Sequence, residues 1–127
     1  MTARGLRIAG FGFRSEATIE SLAQALDQLT EQYGAIDKLA AAHSMLPLVE
    51  ELCRLRHIEV ISVADVGLPT AITLTHSAQS LLARGTGSVA EAVALLAAGQ
   101  NARLVGPRII SADRQATAAL AIAEGNR

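Results

Sequence analysis

The segment from Gly85 to Gly99 joins a glycine-rich loop to a stretch of small, helix-forming residues, a combination that could bind an anion. Ser88 and Glu91 have the spacing of a capping box, in which each side chain accepts a hydrogen bond from the other residue's backbone N–H. A helix is therefore expected to begin at Ser88. Its first N–H groups, next to glycine backbone that a ligand can approach closely, would attract a carboxylate or phosphate. A well-capped buried helix without a ligand is the commoner alternative.

A second glycine motif, Gly10-Phe11-Gly12-Phe13-Arg14, follows an apolar run near residue 6. It resembles the start of a dinucleotide fingerprint, but it lacks the third glycine and the acidic strand end expected about 20 residues further on. We therefore expect no nicotinamide cofactor. The loop N–H groups and Arg14 could bind an anion, while Phe11 and Phe13 could cover a flat ligand. The alternative places one phenylalanine in the core and Arg14 in solvent.

Hydroxyl groups and cations supply further candidates. Thr75-His76-Ser77 and Gly85-Thr86-Gly87-Ser88 place several hydroxyls and amides in one short stretch, which suits a ligand rich in acidic groups. Arg84 and Arg108 could add positive charge, although arginines near helix ends are more often solvated. Because adjacent residues usually point apart, His76 and Ser77 are not expected to form a nucleophile–base pair.

Histidine and cysteine usage argues against a metal site. His43, His57 and His76 share no metal-ligand spacing, and the single Cys53 excludes an intrachain disulfide and a multi-cysteine site. A surface position is the default for each histidine, although His43 precedes a predicted helix start, where a site residue could project. The lone cysteine fits a reducing, cytoplasmic setting and is expected to be a buried core thiol.

The composition indicates one globular domain over residues 1–127 with an aliphatic core. Hydrophobic residues make up 50% of the chain and aromatic residues 2%, so Ala, Leu, Ile and Val must build the core. The formal net charge of −1 argues against a nucleic-acid partner. No membrane association is expected, since no stretch reaches about 18 uncharged apolar residues and Met1 to Arg7 does not resemble a signal peptide. Glu124 to Arg127 is expected to fray.

Strands and helices alternate along the chain. Apolar runs predict strands within residues 6–13, 35–42, 58–63, 102–105, 109–110 and 116–123. Helical spacing and start signals predict helices within residues 17–33, 44–55, 77–83 and 88–98. Ser15 is expected to cap the first helix and Gly34 to end it. The alanine-rich segment 116–123 could instead be helical, and Asp113 is interpreted as a turn residue.

This alternation predicts an α/β fold, with a mixed or mostly parallel sheet flanked by helices. In such sheets, ligands bind beyond the carboxyl ends of the strands. The loops at residues 10–14 and 85–88 are therefore expected to face one crevice.

Taken together, the motifs resemble a known family. Gly10-Phe11-Gly12-Phe13-Arg14, Thr75-His76-Ser77 and the segment 85–95 stand in the order found in the carboxy-terminal domain of the cobalamin biosynthesis protein CbiG, whose stand-alone form is CobE. The resemblance covers nearly the whole chain, and Ser88-Val89-Ala90-Glu91-Ala92 is its most specific part. Two lysines of the family pattern are absent, with His43 near the first position and Pro107-Arg108 near the second, which argues against a lysine-dependent role.

The resemblance implies a role in making the corrin ring of cobalamin. CbiG proteins of the anaerobic route open a lactone on a cobalt-containing precorrin and release acetaldehyde, whereas CobE belongs to the oxygen-dependent route. Because the resemblance covers only the carboxy-terminal unit, we expect binding of a precorrin-type tetrapyrrole more than hydrolysis. A precorrin carries many carboxylates around a flat, largely apolar ring, which suits helix N-terminal amides, arginine and aromatic side chains.

The expected ligand-binding residues come from these motifs. They are Phe11, Gly12, Phe13, Arg14, His43, Thr75, His76, Ser77, Gly85, Thr86, Gly87 and Ser88. Two alternatives remain open. One is a CbiG-like hydrolase that opens a precorrin lactone, with Ser77, His43 or His76 in acid–base roles; the other is a module that docks onto another pathway enzyme through an alanine-rich surface. No cofactor or metal is expected in any of these functions.

Overall fold

A computed structural model describes residues 5–99 and 101–123 of the chain. The strands are β1 (Arg7–Phe13), β2 (Lys38–Ala42), β3 (Val60–Val63), β4 (Arg103–Leu104), β5 (Ile109–Ile110) and β6 (Ala116–Ile122). The helices are α1 (Ile19–Tyr33), α2 (Leu46–Arg56), α3 (Ala78–Arg84) and α4 (Val89–Ala98), with 3₁₀ turns at His43–Met45 and Asp65–Thr70. The fraying expected at Glu124 to Arg127 lies outside the described residues, as does the side chain of Arg84.

The strands form one open, mixed sheet in the order β3-β2-β1-β6-β4, and β5 pairs with β6 on the same edge as β4. β1 is parallel to β2, which is parallel to β3, whereas β6 is antiparallel to β1, β4 and β5. Among the described strands, β6 alone therefore runs against the common direction. The predicted α/β class, with a mixed and mostly parallel sheet, is confirmed.

Helices cover both faces of this sheet. Phe11, Leu39 and Leu120 lie on one face and pack against α1 and α2, in a core that also includes Leu22, Leu26 and Leu52. Ile8 and Ala40 lie on the other face and pack against α4, whose Ala92 and Val93 are buried there. The half-buried Cys53 packs against the first core, and burial raises the pKa of its thiol.

The glycines of the first motif bring α4 close to the sheet. Gly10 and Gly12 belong to β1 rather than to a loop. A Cβ on Gly10 would lie 2.3 Å from the Ala90 carbonyl oxygen and 2.6 Å from the Ala94 nitrogen, so no larger residue fits there without moving the helix. This motif therefore serves helix–sheet packing along most of its length, and only its carboxyl end reaches the edge of the sheet.

The alanine-rich segments are buried, which corrects the expectation of an alanine-rich docking surface. Ala90, Ala92 and Ala94 of α4 are 0% exposed, because the helix lies directly on the sheet. The segment 116–122 is the strand β6 and not a helix, since it pairs with β1 along one edge and with β4 and β5 along the other. Small side chains here permit close packing on both faces.

Two helix starts and one helix end agree with the predictions, whereas the starts of α1 and α2 differ: α2 begins at Leu46 after Met45, and Ser44 does not cap it. Ser77 and Ser88 cap α3 and α4 as expected, and Gly34, with φ 96°, ends α1. Thr18, not Ser15, caps α1: the Thr18 hydroxyl accepts from the Ser21 N–H, and the Ser21 hydroxyl accepts from the Thr18 N–H. Within the described residues, no helix is long and apolar enough to cross a membrane.

Candidate functional site

A crevice of about 490 Å³ opens at the carboxyl end of β1, where the sheet topology predicted a ligand site. Five parts of the chain meet there: the end of β1, the 3₁₀ turn after β2, the first turn of α3, the first turn of α4, and the hairpin that joins β5 to β6. Apolar side chains from all but α3 contribute to the lining, namely Phe13, Met45, Val89 and Ile110. The crevice therefore has an apolar surface with polar groups around it.

The charged lining is mainly basic. Arg14, Arg108 and Arg114 line the crevice, and Glu16 is the acidic residue among the described lining residues. Arg14 and Arg114 are exposed and Arg108 is half-buried. Guanidinium groups bind carboxylates and phosphates through paired N–H donors. This lining is thus suited to an anionic ligand.

Two polar atoms of the crevice are buried without a hydrogen-bond partner among the described residues. They are Ser80 Oγ, in the first turn of α3, and Gln115 Oε1, just before β6. Burial of a polar atom without a partner is unfavourable by about 1–3 kcal/mol. A ligand that hydrogen-bonds to these atoms would remove that penalty.

The predicted capping box at the start of α4 is formed only in part. Ser88 Oγ accepts from the Glu91 N–H at 3.2 Å, as expected. The Ser88 N–H, however, donates to Thr86 Oγ1 at 3.4 Å and not to the Glu91 carboxylate. That carboxylate is instead turned toward Leu74 and Thr75, whose N–H groups donate to its Oε1 at 2.6 and 2.8 Å.

The second oxygen of Glu91 joins another part of the chain to the same point. Oε2 accepts from the Thr75 hydroxyl at 2.6 Å and from the Arg108 backbone N–H at 2.8 Å. Glu91 is 0% exposed, so four donors compensate for the loss of water around its charge. The carboxylate therefore links α4, the segment 74–75 and residue 108.

Four of the predicted ligand-binding residues line the crevice, namely Gly12, Phe13, Arg14 and Ser77. Phe11 does not, because its side chain is 0% exposed within the α1 and α2 core, and this corrects the expectation that its ring covers a ligand. The alternative of one phenylalanine in the core is thus the observed one.

The glycine loop before α4 lies behind the crevice and supports it. Gly85, with φ 73°, ends α3, and the buried Thr86 lies just before Ser88, the cap of α4. The Gly87 carbonyl accepts from the Ser77 N–H at 2.9 Å, and a Cβ on Gly87 would lie 2.2 Å from the Thr75 carbonyl oxygen. The close neighbour that requires glycine here is therefore the segment 75–77 of the same chain.

The histidine candidates lie outside the crevice lining. His43 is exposed in the 3₁₀ turn after β2, with Nδ1 3.4 Å from Ser62 Oγ, and His76 is exposed before α3. Ser77 Oγ accepts from the Ser80 N–H at 3.3 Å as a helix cap. Within residues 5–99 and 101–123, no group of three or more His, Cys, Asp or Glu side chains could hold a metal ion.

Sequence reasoning missed most of the hairpin side of the crevice. Arg108 is predicted only as an added charge and Arg114 is not among the candidates, whereas both line the crevice together with Gln115 and Thr117. The signal was the predicted turn between two strands, since it lies beside the strand end that carries Arg14. Arg14 N donates to the Gln115 carbonyl at 2.9 Å, which joins the two segments.

Similarity to known proteins falls in one family. Residues 7–121 match the family described as Cobalamin synthesis G C-terminus. No curated protein sequence matches the chain. The matched region spans all the described residues that line the crevice.

Solved structures show the same fold. CobE, a protein from the cobalamin (vitamin B12) biosynthetic pathway, is 30% identical, with a TM-score of 0.85 over 100% of this chain and 98% of CobE. The cobalamin biosynthesis protein chiG from Agrobacterium tumefaciens str. C58 is 26% identical, with a TM-score of 0.72 over 94% of this chain and 100% of chiG. A cobalamin biosynthesis protein G homolog from Sulfolobus solfataricus is 21% identical, with a TM-score of 0.75; 94% of this chain covers 37% of that protein, and this likeness concerns the fold alone.

Proposed function

Because this chain belongs to the family of the cobalamin biosynthesis protein G carboxy-terminal domain, we propose that it binds a precorrin-type tetrapyrrole intermediate in the crevice at the end of β1. Three arginines around an apolar surface are the main support for this function. A precorrin presents free acetate and propionate carboxylates around a flat, largely apolar ring. Arg14, Arg108 and Arg114 would bind the carboxylates, and Phe13 would contact the ring.

The dimensions and polar atoms of the crevice also support this proposal. Its volume of about 490 Å³ lies in the range of small-molecule sites. One edge of a tetrapyrrole would enter, while the rest of the ring stays outside. The Ser80 hydroxyl, which can donate to a carboxylate, would help to fix the orientation of that edge by a hydrogen bond.

The other predicted ligand-binding residues take different roles in this proposal. Gly12 and Ser77 would contact the ligand as part of the lining. The loop Gly85-Thr86-Gly87-Ser88 and Thr75 would hold Ser77 in place from behind. His43 and His76, exposed outside the lining, would contact only those ring substituents that extend beyond the crevice.

An absorbance titration tests the proposal, because tetrapyrroles are coloured and their spectra change with their surroundings. The probe is uroporphyrin III, whose acetate and propionate groups are all free carboxylates. We expect a saturable shift with the wild-type protein and at least about tenfold weaker binding by Arg108→Ala and Arg114→Ala, since a charge-assisted hydrogen bond contributes about 1.5–3 kcal/mol. Arg54→Ala, which removes an exposed charge on α2, is the matched control and should bind as the wild type does.

Two outcomes would overturn the binding proposal: no saturable shift, or an equal loss of affinity in Arg54→Ala. Cobinamide, a corrin whose acetate and propionate groups are amides, should bind more weakly than uroporphyrin III, because it offers the arginines no carboxylates. A precorrin intermediate that is recovered intact supports binding alone. A new product spectrum would instead establish the CbiG-like hydrolase.

A second function, docking onto another enzyme of the cobalamin pathway, is favoured by a separate observation. Val66, Ile72 and Leu82 are 87%, 88% and 90% exposed, although large aliphatic side chains usually avoid water. The docking surface would thus consist of these side chains and not of the buried alanines. Copurification with pathway enzymes, lost in Ile72→Asp and retained in Leu55→Asp, would support it; Leu55 is likewise exposed, at 60%, but lies on α2.

A further inference from the structure

Glu91 makes more hydrogen bonds than a helix cap requires. Its carboxylate is fully buried and accepts from three backbone N–H groups and one hydroxyl. The donors lie 16 and 17 residues away in sequence, on both sides of Glu91. A buried charge with long-range partners of this kind fixes the relative positions of the segments that hold them.

Each of the two segments that Glu91 joins leads to a part of the crevice lining, which we call a wall. One wall carries Ser77 and Ser80 and follows the segment 74–75 along the chain. Two hydrogen bonds restrain the connection: Thr73 Oγ1 donates to the Thr75 carbonyl at 2.8 Å, and the Ser77 N–H donates to the Gly87 carbonyl at 2.9 Å. The other wall carries Arg108. The Arg108 backbone N–H donates to the Glu91 carboxylate, so this hydrogen bond fixes the point from which the Arg108 side chain extends.

We propose that Glu91 is a positioning residue for the crevice, and that its carboxylate sets the distance between the wall of Ser77 and Ser80 and the wall of Arg108. This role rests on the proposed function, because the ligand is what the two walls would hold. Glu91 does not line the crevice and acts through the residues bonded to it. Its effect on binding is therefore expected to pass through Arg108.

The arrangement of donors distinguishes a carboxylate from an amide at this position. In Glu91→Gln, the remaining oxygen can still accept from the N–H groups of Leu74 and Thr75. The new NH₂ group can donate to the Thr75 hydroxyl, but it faces the Arg108 N–H, which is also a donor. Glu91→Gln thus removes the hydrogen bond to the Arg108 N–H and keeps those to the N–H groups of Leu74 and Thr75.

Amide hydrogen exchange of the ligand-free protein directly tests the hydrogen bond between the Arg108 N–H and the Glu91 carboxylate. In Glu91→Gln, we expect the Arg108 amide to exchange at least about tenfold faster than in the wild type, with the Leu74 and Thr75 amides changing less than about threefold. Thr75→Val is the matched control: it removes one donor to the same carboxylate and should leave the Arg108 amide protected. Unchanged protection of Arg108 in Glu91→Gln would overturn the proposal.

Binding of uroporphyrin III to a set of double variants tests the consequence. Arg108→Ala should weaken binding about tenfold in the wild type and less than about twofold in Glu91→Gln, whereas Arg114→Ala should weaken binding equally in both backgrounds. A general loosening of the fold would reduce both effects alike. If Arg108→Ala weakens binding as much in Glu91→Gln as in the wild type, the positioning role is refuted. If the wild type does not bind uroporphyrin III, the proposed function is refuted, and hydrogen exchange alone then tests whether Glu91 holds the Arg108 backbone.

Discussion

Two carboxylates tie the segments around the crevice together, one buried and one in contact with water. Glu91 is fully buried and accepts four hydrogen bonds. Asp113 is exposed in the turn between β5 and β6, and it accepts from the Ser111 hydroxyl at 2.5 Å, the Ser21 hydroxyl at 2.6 Å and the Gln115 N–H at 3.1 Å. Both join the hairpin side of the crevice to the start of a helix.

The two carboxylates differ in what happens to their hydrogen-bond donors when the carboxylate is removed. Asp113 is exposed, so water screens its charge, and the Ser21 hydroxyl has a second partner in Thr18 Oγ1. Removal of the Asp113 carboxylate is therefore less unfavourable, although the donors Ser21 and Ser111 are only 1% and 2% exposed. The Glu91 carboxylate is 0% exposed, and each of its donors that is left without an acceptor is unfavourable by about 1–3 kcal/mol. Two residues with similar bonding patterns are therefore expected to differ widely in their effects on stability.

The largest effect is expected for Glu91→Ala. Removing the carboxylate leaves three N–H groups and one hydroxyl without their acceptor, and we expect a loss of about 3–5 kcal/mol in the free energy of unfolding. Urea denaturation followed by circular dichroism measures it. Ser88→Ala, which removes only the helix cap, is the control and should lose about 1 kcal/mol. Equal losses in the two variants would mean that the four hydrogen bonds of the carboxylate stabilise the fold no more than a single helix cap does.

A smaller effect is expected for Thr75→Val, which removes one donor to the buried carboxylate and keeps the side-chain shape. A hydrogen bond to a charged group contributes about 1.5–3 kcal/mol, and the unfolding free energy should fall within that range. Thr117→Val is the matched control, because the Thr117 hydroxyl donates at 3.2 Å to the neutral Gly12 carbonyl and its loss should amount to about 1 kcal/mol. Equal losses would indicate that the charge of Glu91 does not strengthen its hydrogen bonds.

A smaller effect again, and one that depends on pH, is expected for Asp113→Asn. Hydrogen bonds from the Ser111 and then the Ser21 hydroxyl hold the pKa of Asp113 below its ordinary value. The ionised carboxylate therefore stabilises the fold above its unfolded-state pKa of about 3.9, and this contribution is lost as the pH falls through the lower folded-state pKa. Urea midpoints of the wild type and the variant should differ near neutral pH and converge in acid. A difference that persists in acid would show that ionisation is not its cause.

Much of the fold was predictable from local patterns. Alternation and helical spacing placed the strands and the helices, and the serines before α3 and α4 marked their starts. The cap of α1 was missed because Ser15 and Thr18 are equally suited to capping by type. Which of them caps depends on where the chain leaves β1, and tertiary packing decides this.

The candidate site was predictable at the end of β1 and at Ser77, the cap of α3. Gly12, Phe13 and Arg14 follow from the position of β1, whereas Arg108 and Gln115 depend on how the hairpin folds back on it. The sequence around Gly10, Gly87 and Glu91 fits more than one structural role. Gly10 and Gly87 do show where something approaches the backbone closely, but the neighbour is another part of the same chain. Glu91 has the spacing of a cap, but its partners are set by contacts distant in sequence.

The smallest effect on the free energy of unfolding is expected for Asp27, an exposed acid outside the crevice lining. Asp27 accepts from both guanidinium NH₂ groups of Arg56, at 2.7 and 3.3 Å, and this bond raises the pKa of Arg56. A double-mutant cycle of Asp27→Asn and Arg56→Gln should give a coupling of about 0.2–1 kcal/mol, and added salt should weaken it. A coupling as large as the loss in Thr75→Val would mean that burial does not separate Glu91 from the exposed acids, and that only the geometry of its hydrogen bonds does.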